Sequence, residues 1–249
     1  MDVAVSVLES YRGKDKVIRT ATYAALLVAG VAQDSGNKPL SQSLQTAVGS
    51  FSACRTVLRL FDDLSMLAHT LGYGLGKQER DPVVRWLSVT KNLFDQSFFP
   101  LEHIAWLGDK KIMQMKSTSK WMQASIIVWT ISLTLGIIIS LRQLMKLKRR
   151  EKALMRDLTG ARLREDSGET IDALEESLQS VRASIRKTWL DLIRNAGDFG
   201  NAVNWCPEGF LWSGKFGLKS VGFCGSVASV IGLYNIVNAH RDRVRKKTV

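Results

Sequence analysis

The chain has 249 residues, a formal net charge of +12 at pH 7 and an ordinary 23% of charged residues, enough for one or two domains. The surplus charge is spread out: residues 1–120, residues 142–219 and the tail Arg241–Val249 each carry a net +4, which argues against a nucleic-acid groove and for juxtamembrane contact with anionic headgroups. Cys54, Cys206 and Cys224 are odd in number and predict neither a disulfide framework nor a metal site, and the opening MDVAVSVLESYRGKDK lacks a secretory-signal layout; a reduced, cytosol-facing protein inserted without signal cleavage is expected.

Residues 3–33 carry apolar positions at helical spacing (Val7, Ile18, Ala21, Ala25, Val28), with an end predicted near Gly36 and Pro39. A second helix is predicted from Ser41 to Leu71. Its apolar set, Leu44, Val48, Phe51, Cys54, Val57, Leu58, Phe61, Leu64, Leu67 and Ala68, recurs every three or four residues, while Arg55, Arg59, Asp62 and Asp63 share a narrow polar arc read as a solvated face. The apolar face must bury itself, either in a helical bundle or among lipid headgroups, where insertion would favour curvature. After the turn Gly72–Gly76, Asp81 and Pro82 predict the start of a third helix running to about Phe98, with Pro100 ending or kinking it and 101–107 forming a short helix.

From Trp121 to Leu141 the sequence WMQASIIVWTISLTLGIIISL is uncharged, and at about 1.5 Å per residue it is roughly 31 Å long, the thickness of a bilayer's hydrocarbon. Ser220 to His240 is a second uncharged stretch of the same length. The fold class that follows is an all-α membrane protein with N-terminal amphipathic helices and two transmembrane helices. Its parts are a helical region (1–119), the first span (120–141), a charged loop with an amphipathic segment at Trp189–Trp205 (142–219), the second span (220–240) and a basic tail (241–249), with 151–187 partly helical at best. Two spans place both termini on one side. Nine basic residues near the span ends on the loop side (Arg142, Lys146, Lys148, Arg149, Arg150, Lys152, Arg156, Lys215, Lys219) balance nine on the terminal side (Lys110, Lys111, Lys116, Lys120, Arg241, Arg243, Arg245, Lys246, Lys247), so charge does not name that side.

Motifs for catalysis are absent. Gly72–Lys77 lacks the phosphate-loop pattern and is a helix-breaking turn; Asp62 and Asp63 point about 100° apart on a helix and cannot converge on one ion with His69; His103 and His240 have no spaced partners. No enzyme activity, cofactor, metal or nucleic-acid partner is expected. The second span carries small residues four apart, Gly222 with Ser226, Gly225 with Ser229 and Ala228 with Gly232, which predicts a close helix-packing face usable for self-association. Lys246 and Lys247 match a dilysine retrieval signal and equally a plain positive anchor.

The strings LESYRGKDKVIR (8–19), CRTVLRLFDDLSM (54–66), YGLG (73–76), PLEHIAW (100–106) and NAVNWCPEGFLWSGKF (201–216) resemble the peroxin-11 family of peroxisomal membrane proteins, most closely its gamma form. The resemblance spans nearly the whole chain except about 151–185. It implies a multi-pass protein of the peroxisomal membrane with both termini cytosolic and the central loop lumenal. It also implies peroxisome elongation and fission through membrane remodelling, with membrane lipids, further copies, other family members, a mitochondrial and peroxisomal fission adaptor and a dynamin-related GTPase as partners. The family's remodelling activity maps onto Ser41–Leu71 and onto Pro82–Phe98. With only Arg55 and Arg59 beside two aspartates, direct attraction to anionic lipid is weak here, which favours action through partners. The rival readings are a peroxisomal membrane channel for small metabolites, which spans without ionisable residues do not support, and an endoplasmic reticulum membrane-shaping protein, which the dilysine tail suggests.

Overall fold

The computed structural model describes residues 2–165 and 167–247. Among these residues there are eight helices and no strand: α1 (Asp2–Glu9), α2 (Tyr11–Asp34), α3 (Lys38–Arg59), α4 (Asp62–Tyr73), α5 (Pro82–Asp109), α6 (Thr118–Leu163), α7 (Gly168–Asn204) and α8 (Leu218–Lys247). The all-α expectation holds, and α6 and α8, which contain the two uncharged stretches, are each long and apolar enough, by length and composition, to cross a bilayer unaided.

Element boundaries differ from the sequence reading in four places, each for a local reason. The first helix breaks at Ser10, whose hydroxyl accepts from the Gly13 amide at 3.1 Å and caps α2. The predicted Ser41–Leu71 helix starts at Lys38, capped by Asn37, and is interrupted at Leu60–Phe61, where two amides bond to carbonyls only three residues back; Asp62 and Asp63 then open α4, where negative charge suits the helix N-terminus. The α5 helix does not stop at Pro100 but continues to Asp109, held by packing along α6. Finally, 142–219 is not an irregular loop. It comprises the second half of α6, all of α7 and an aromatic connection at 205–217, because Leu144, Val181 and Ile185, with Leu147, Leu154 and Leu192, close an apolar seam between α6 and α7.

Contacts fix the direction of each long helix. Arg55 meets Asp15, and the Tyr11 hydroxyl donates to the Leu58 carbonyl, so α3 returns along α2. Arg142 meets Asp81, Ser132 donates to Asp95, and Gly108 lies against Thr118, so α5 and α6 are antiparallel. Arg162 pairs with Glu175 at 2.5 Å, Gly136 faces Asn195 and Trp129 stacks on Trp205 at 6.1 Å, which makes α6 and α7 antiparallel. The Asn201 amide donates to the Val221 carbonyl at 3.1 Å and Gly197 faces Ala228, so α8 reverses again. Gly30 lies on Lys219, Tyr23 on Gly225, and Ser6 hydrogen-bonds His240 at 2.8 Å, so α2 closes the bundle antiparallel to α8. The result is an up-and-down bundle. One end gathers α1, the end of α8 and the projecting α6–α7 hairpin; the other gathers the turns at 35–37, 110–117 and 205–217.

Asp81 joins the two halves of this arrangement. Its Oδ1 accepts from the Val83 and Val84 amides, capping α5, while Arg142 and Lys146 of α6 reach its Oδ2 at 2.7 and 2.5 Å. Hydrogen bonds from Arg142 and Lys146 hold this carboxyl well below the usual carboxylate range. A group acidified by folding stabilises the fold above its unfolded pKa, about 4, and that contribution is lost as pH falls further, because the unfolded chain takes up the proton first. Asp81→Asn should therefore lower the thermal midpoint of the detergent-solubilised protein at pH 7 and flatten the part of its acid sensitivity below about pH 4; melting curves of both proteins across that range check this.

Candidate membrane-contact face

The orientation of α3 follows from charge pairing. Arg55 Nε donates to Asp15 Oδ1 at 2.9 Å, and Lys16 holds the other oxygen at 2.9 Å. Arg59 Nε donates to both oxygens of Glu102 at 3.1 and 3.0 Å, and its Nη2 adds a third bond at 2.5 Å. Arg19 of α2 pairs with Asp198 of α7. Asp15, Glu102 and Asp198 are all buried, where an unpaired charge would cost several kcal/mol. The polar arc read as solvated therefore points inward, with Asp62 and Asp63 half-buried at its end.

Helical periodicity then turns the other side out. Phe51 and Val57 are exposed, Leu44, Val48 and Leu58 are half-buried, and on α4 and the break before it Phe61, Leu64 and Leu71 are 70%, 72% and 72% exposed. Asp62, Ser65, Met66 and His69 line a cavity of about 540 Å³ together with Asn235 and Ile236, which sets α4 beside the last turns of the second span. A row of large apolar side chains thus stands uncovered near one boundary of the apolar zone. Contiguous exposed apolar surface of this kind marks a lipid or partner contact.

The small residues of α8 lie in the interior of the chain. A Cβ on Gly222 would stand 2.4 Å from the Leu27 amide, and one on Gly225 2.0 Å from the Tyr23 ring. Gly232 and Ser229 are buried, and the hydroxyls of Ser226 and Ser229 find no partner among the described residues, so these positions contribute small size rather than hydrogen bonds. The face predicted at Gly222, Gly225, Ser226, Ser229 and Gly232 is covered by α2 and α7 of the same chain. The side chains of Lys246 and Lys247 lie outside the described residues, as do Thr248 and Val249.

Sequence reasoning missed Asp15, Arg19, Glu102 and Asp198, the acceptors and donors that set this geometry. For Glu102 and Asp198 a signal was present: each is an isolated charge inside an otherwise uncharged helical stretch, which needs a partner wherever the helices pack.

The profile of Peroxisomal biogenesis factor 11 (PEX11) matches residues 1–237. The chain belongs to the PEX11 family. It is similar to Peroxisomal membrane protein 11C of Homo sapiens, 39% identical over 236 residues (94% of this chain, 93% of that protein), and of Mus musculus, 38% identical over 240 residues (95% and 94%). No solved structure matches. Membership in this membrane family bears out the resemblance read from the sequence, and covers α1 through most of α8.

In this PEX11 chain the α2–α8 contact leaves no room at two glycines and some at a third, where a Cβ on Gly232 would rest 3.6 Å from Lys16 Cδ. Gly222→Leu and Gly225→Leu should each destabilise the bundle by about 1–3 kcal/mol through overpacking, whereas Gly232→Ala should change little. Thermal unfolding in detergent, with limited proteolysis of the α2 segment as a second readout, checks the contrast.

Proposed function

We propose that this protein acts in the peroxisomal membrane to promote protrusion, elongation and fission of the organelle, and that it does so without catalysis. Family membership supports a role in peroxisome biogenesis. The observation that carries the remodelling step is the outward apolar row Phe61, Leu64 and Leu71 beside the end of the second span. Entering one leaflet there, each side chain gains about 1.5–3 kcal/mol of burial, and the added volume spreads that leaflet relative to the other. Because Arg55 and Arg59 are held in internal pairs, insertion rests on apolar contact and not on attraction to anionic lipid. Both termini belong to the cytosolic face in this reading, where a fission adaptor and a dynamin-related GTPase would be recruited. Assembly with further copies or other family members would use the outward residues of α8, such as Phe223, Val230 and Tyr234, since α2 covers Gly222 and Gly225.

Remodelling is favoured over a metabolite channel because the charges packed beside the spans, Asp15, Arg19 and Asp198, are engaged with one another and with Arg55 and Lys16. The Phe61→Asp, Leu64→Asp double variant tests the mechanism. Both positions are largely exposed, so the protein should reach normal abundance and keep its melting temperature, yet fail to elongate peroxisomes in cells lacking the endogenous protein. Normal elongation with this variant would remove the apolar row from the mechanism; loss of abundance would place the row in a packed core.

A further inference from the structure

We infer that the chain crosses the membrane six times, through α2, α3, α5, α6, α7 and α8, so that the α6–α7 hairpin lies on the same side as both termini; the inference rests on the reading of α6 and α8 as membrane spans. Its basis is helix direction. The α7 helix is antiparallel to α6, from Arg162 with Glu175 down to Trp129 with Trp205, and α8 is antiparallel to α7, from Asn201 with Val221 up to Gly197 with Ala228. The two spans are therefore parallel to each other. Two parallel helices can both traverse a bilayer only if the chain between them returns through it, and the segment that returns, Trp189–Trp205, lies against both.

The same accounting applies at the N-terminal side. Ser6 meets His240 at 2.8 Å, so α1 sits at the end of the bundle where α8 finishes, whereas α6 begins at the other end, beside Gly108. An odd number of passages must separate α1 from α6, and α2, α3 and α5, alternately directed, supply three.

Three further observations fit these segments to a bilayer. Residues 20–33 of α2 and 39–54 of α3 contain no charged side chain. Oppositely charged groups along the return paths are paired: Asp198 with Arg19, Asp191 with Arg194, Asp95 with Lys91 and the Ser132 hydroxyl, Glu102 with Arg59, as burial in hydrocarbon requires. Aromatic rings gather in the connection before α8, with Trp212 stacked on Phe216 at 6.1 Å and set edge-on to Phe199 at 6.0 Å, the residue type that favours a membrane interface.

This arrangement also resolves the tied charge count. Of the eighteen basic residues near the span ends, Arg142, Lys146, Lys148, Arg149, Arg150, Lys152 and Arg156 now join the five of the tail, giving twelve at the terminal end against six (Lys110, Lys111, Lys116, Lys120, Lys215 and Lys219) at the other. The positive side of a membrane protein is the cytosolic one. The hairpin, with both termini, is thereby assigned to the cytosol, and the connections 110–117 and 205–217 to the lumen.

Three single-cysteine variants of the full chain, made in a background with Cys54, Cys206 and Cys224 all replaced by Ser, test the inference: Gly168→Cys at the hairpin tip, Ile112→Cys between α5 and α6, and Gly217→Cys before α8. A Cβ at Gly168 or Gly217 meets nothing within 4 Å and Ile112 is 65% exposed, so the fold accepts all three. Intact peroxisomes are treated with a membrane-impermeant polyethylene-glycol maleimide, and the gel shift is read before and after detergent. The six-crossing arrangement predicts that Gly168→Cys shifts in intact organelles and that Ile112→Cys and Gly217→Cys shift only after detergent. The reverse, with Ile112→Cys shifted and Gly168→Cys protected, would overturn it in favour of two crossings. Shift of all three before detergent would show instead that α6 and α8 do not span the membrane.

Discussion

Three buried ion pairs, Asp15 with Arg55, Arg19 with Asp198 and Glu102 with Arg59, decide how the helices of this protein are turned. Removing one partner of such a pair typically costs about 3–5 kcal/mol, because the survivor is left charged and unsatisfied away from water. A rotation of α3 about its axis would break two pairs at once. The pairs therefore act less as a source of net stability than as a lock on orientation, and the lock has a directional consequence: with both arginines of α3 facing inward, the apolar stripe that continues onto α4 faces outward.

The second constraint is distance. Backbones of α2 and α8 approach so closely at Gly30 and Gly222 that no side chain fits between them, and at Gly225 the Tyr23 ring fills the space a Cβ would take. Dispersion contacts at that range, rather than a hydrophobic drive, hold helices together in lipid. The N-terminal amphipathic region is consequently packed onto α8 through α2 and does not stand apart from it. It is built against the second span, and any force its apolar row exerts on a leaflet is transmitted to the membrane-embedded helices. A wedge anchored in this way can act at a fixed depth, which a freely sliding surface helix cannot.

The N-terminal helices in outline, the cap at Asp81, the two long apolar stretches and the family were legible in the sequence, since each is encoded within a few neighbouring residues or in long matching strings. The inward turn of α3 was not, because the partners of Arg55 and Arg59 lie 40 and 43 residues away and that of Arg19 lies 179 away. Periodicity fixes which residues share a face but not which face meets the bundle, and in water the polar arc would be the outer one. The α6–α7 hairpin was missed for a different reason. Its leucine and valine seam is sparse and flanked by charge, so that neither helix alone looks stable, and only the pairing of Leu144 with Val181 and Ile185 makes it so. Pro100 misled in the opposite sense, as packing along α6 carries α5 through it.

The claim that α4 presents its apolar row to lipid is measured most directly with a nitroxide label on Leu64→Cys in the full protein, its three native cysteines replaced by Ser, reconstituted into liposomes. Collision rates with oxygen, which concentrates in hydrocarbon, are compared with those of a water-soluble nickel chelate. The account predicts that oxygen broadens or saturates the label strongly and the chelate weakly, as for a side chain below the headgroups. Dominance of the nickel chelate at this position would place the row in water and contradict the account.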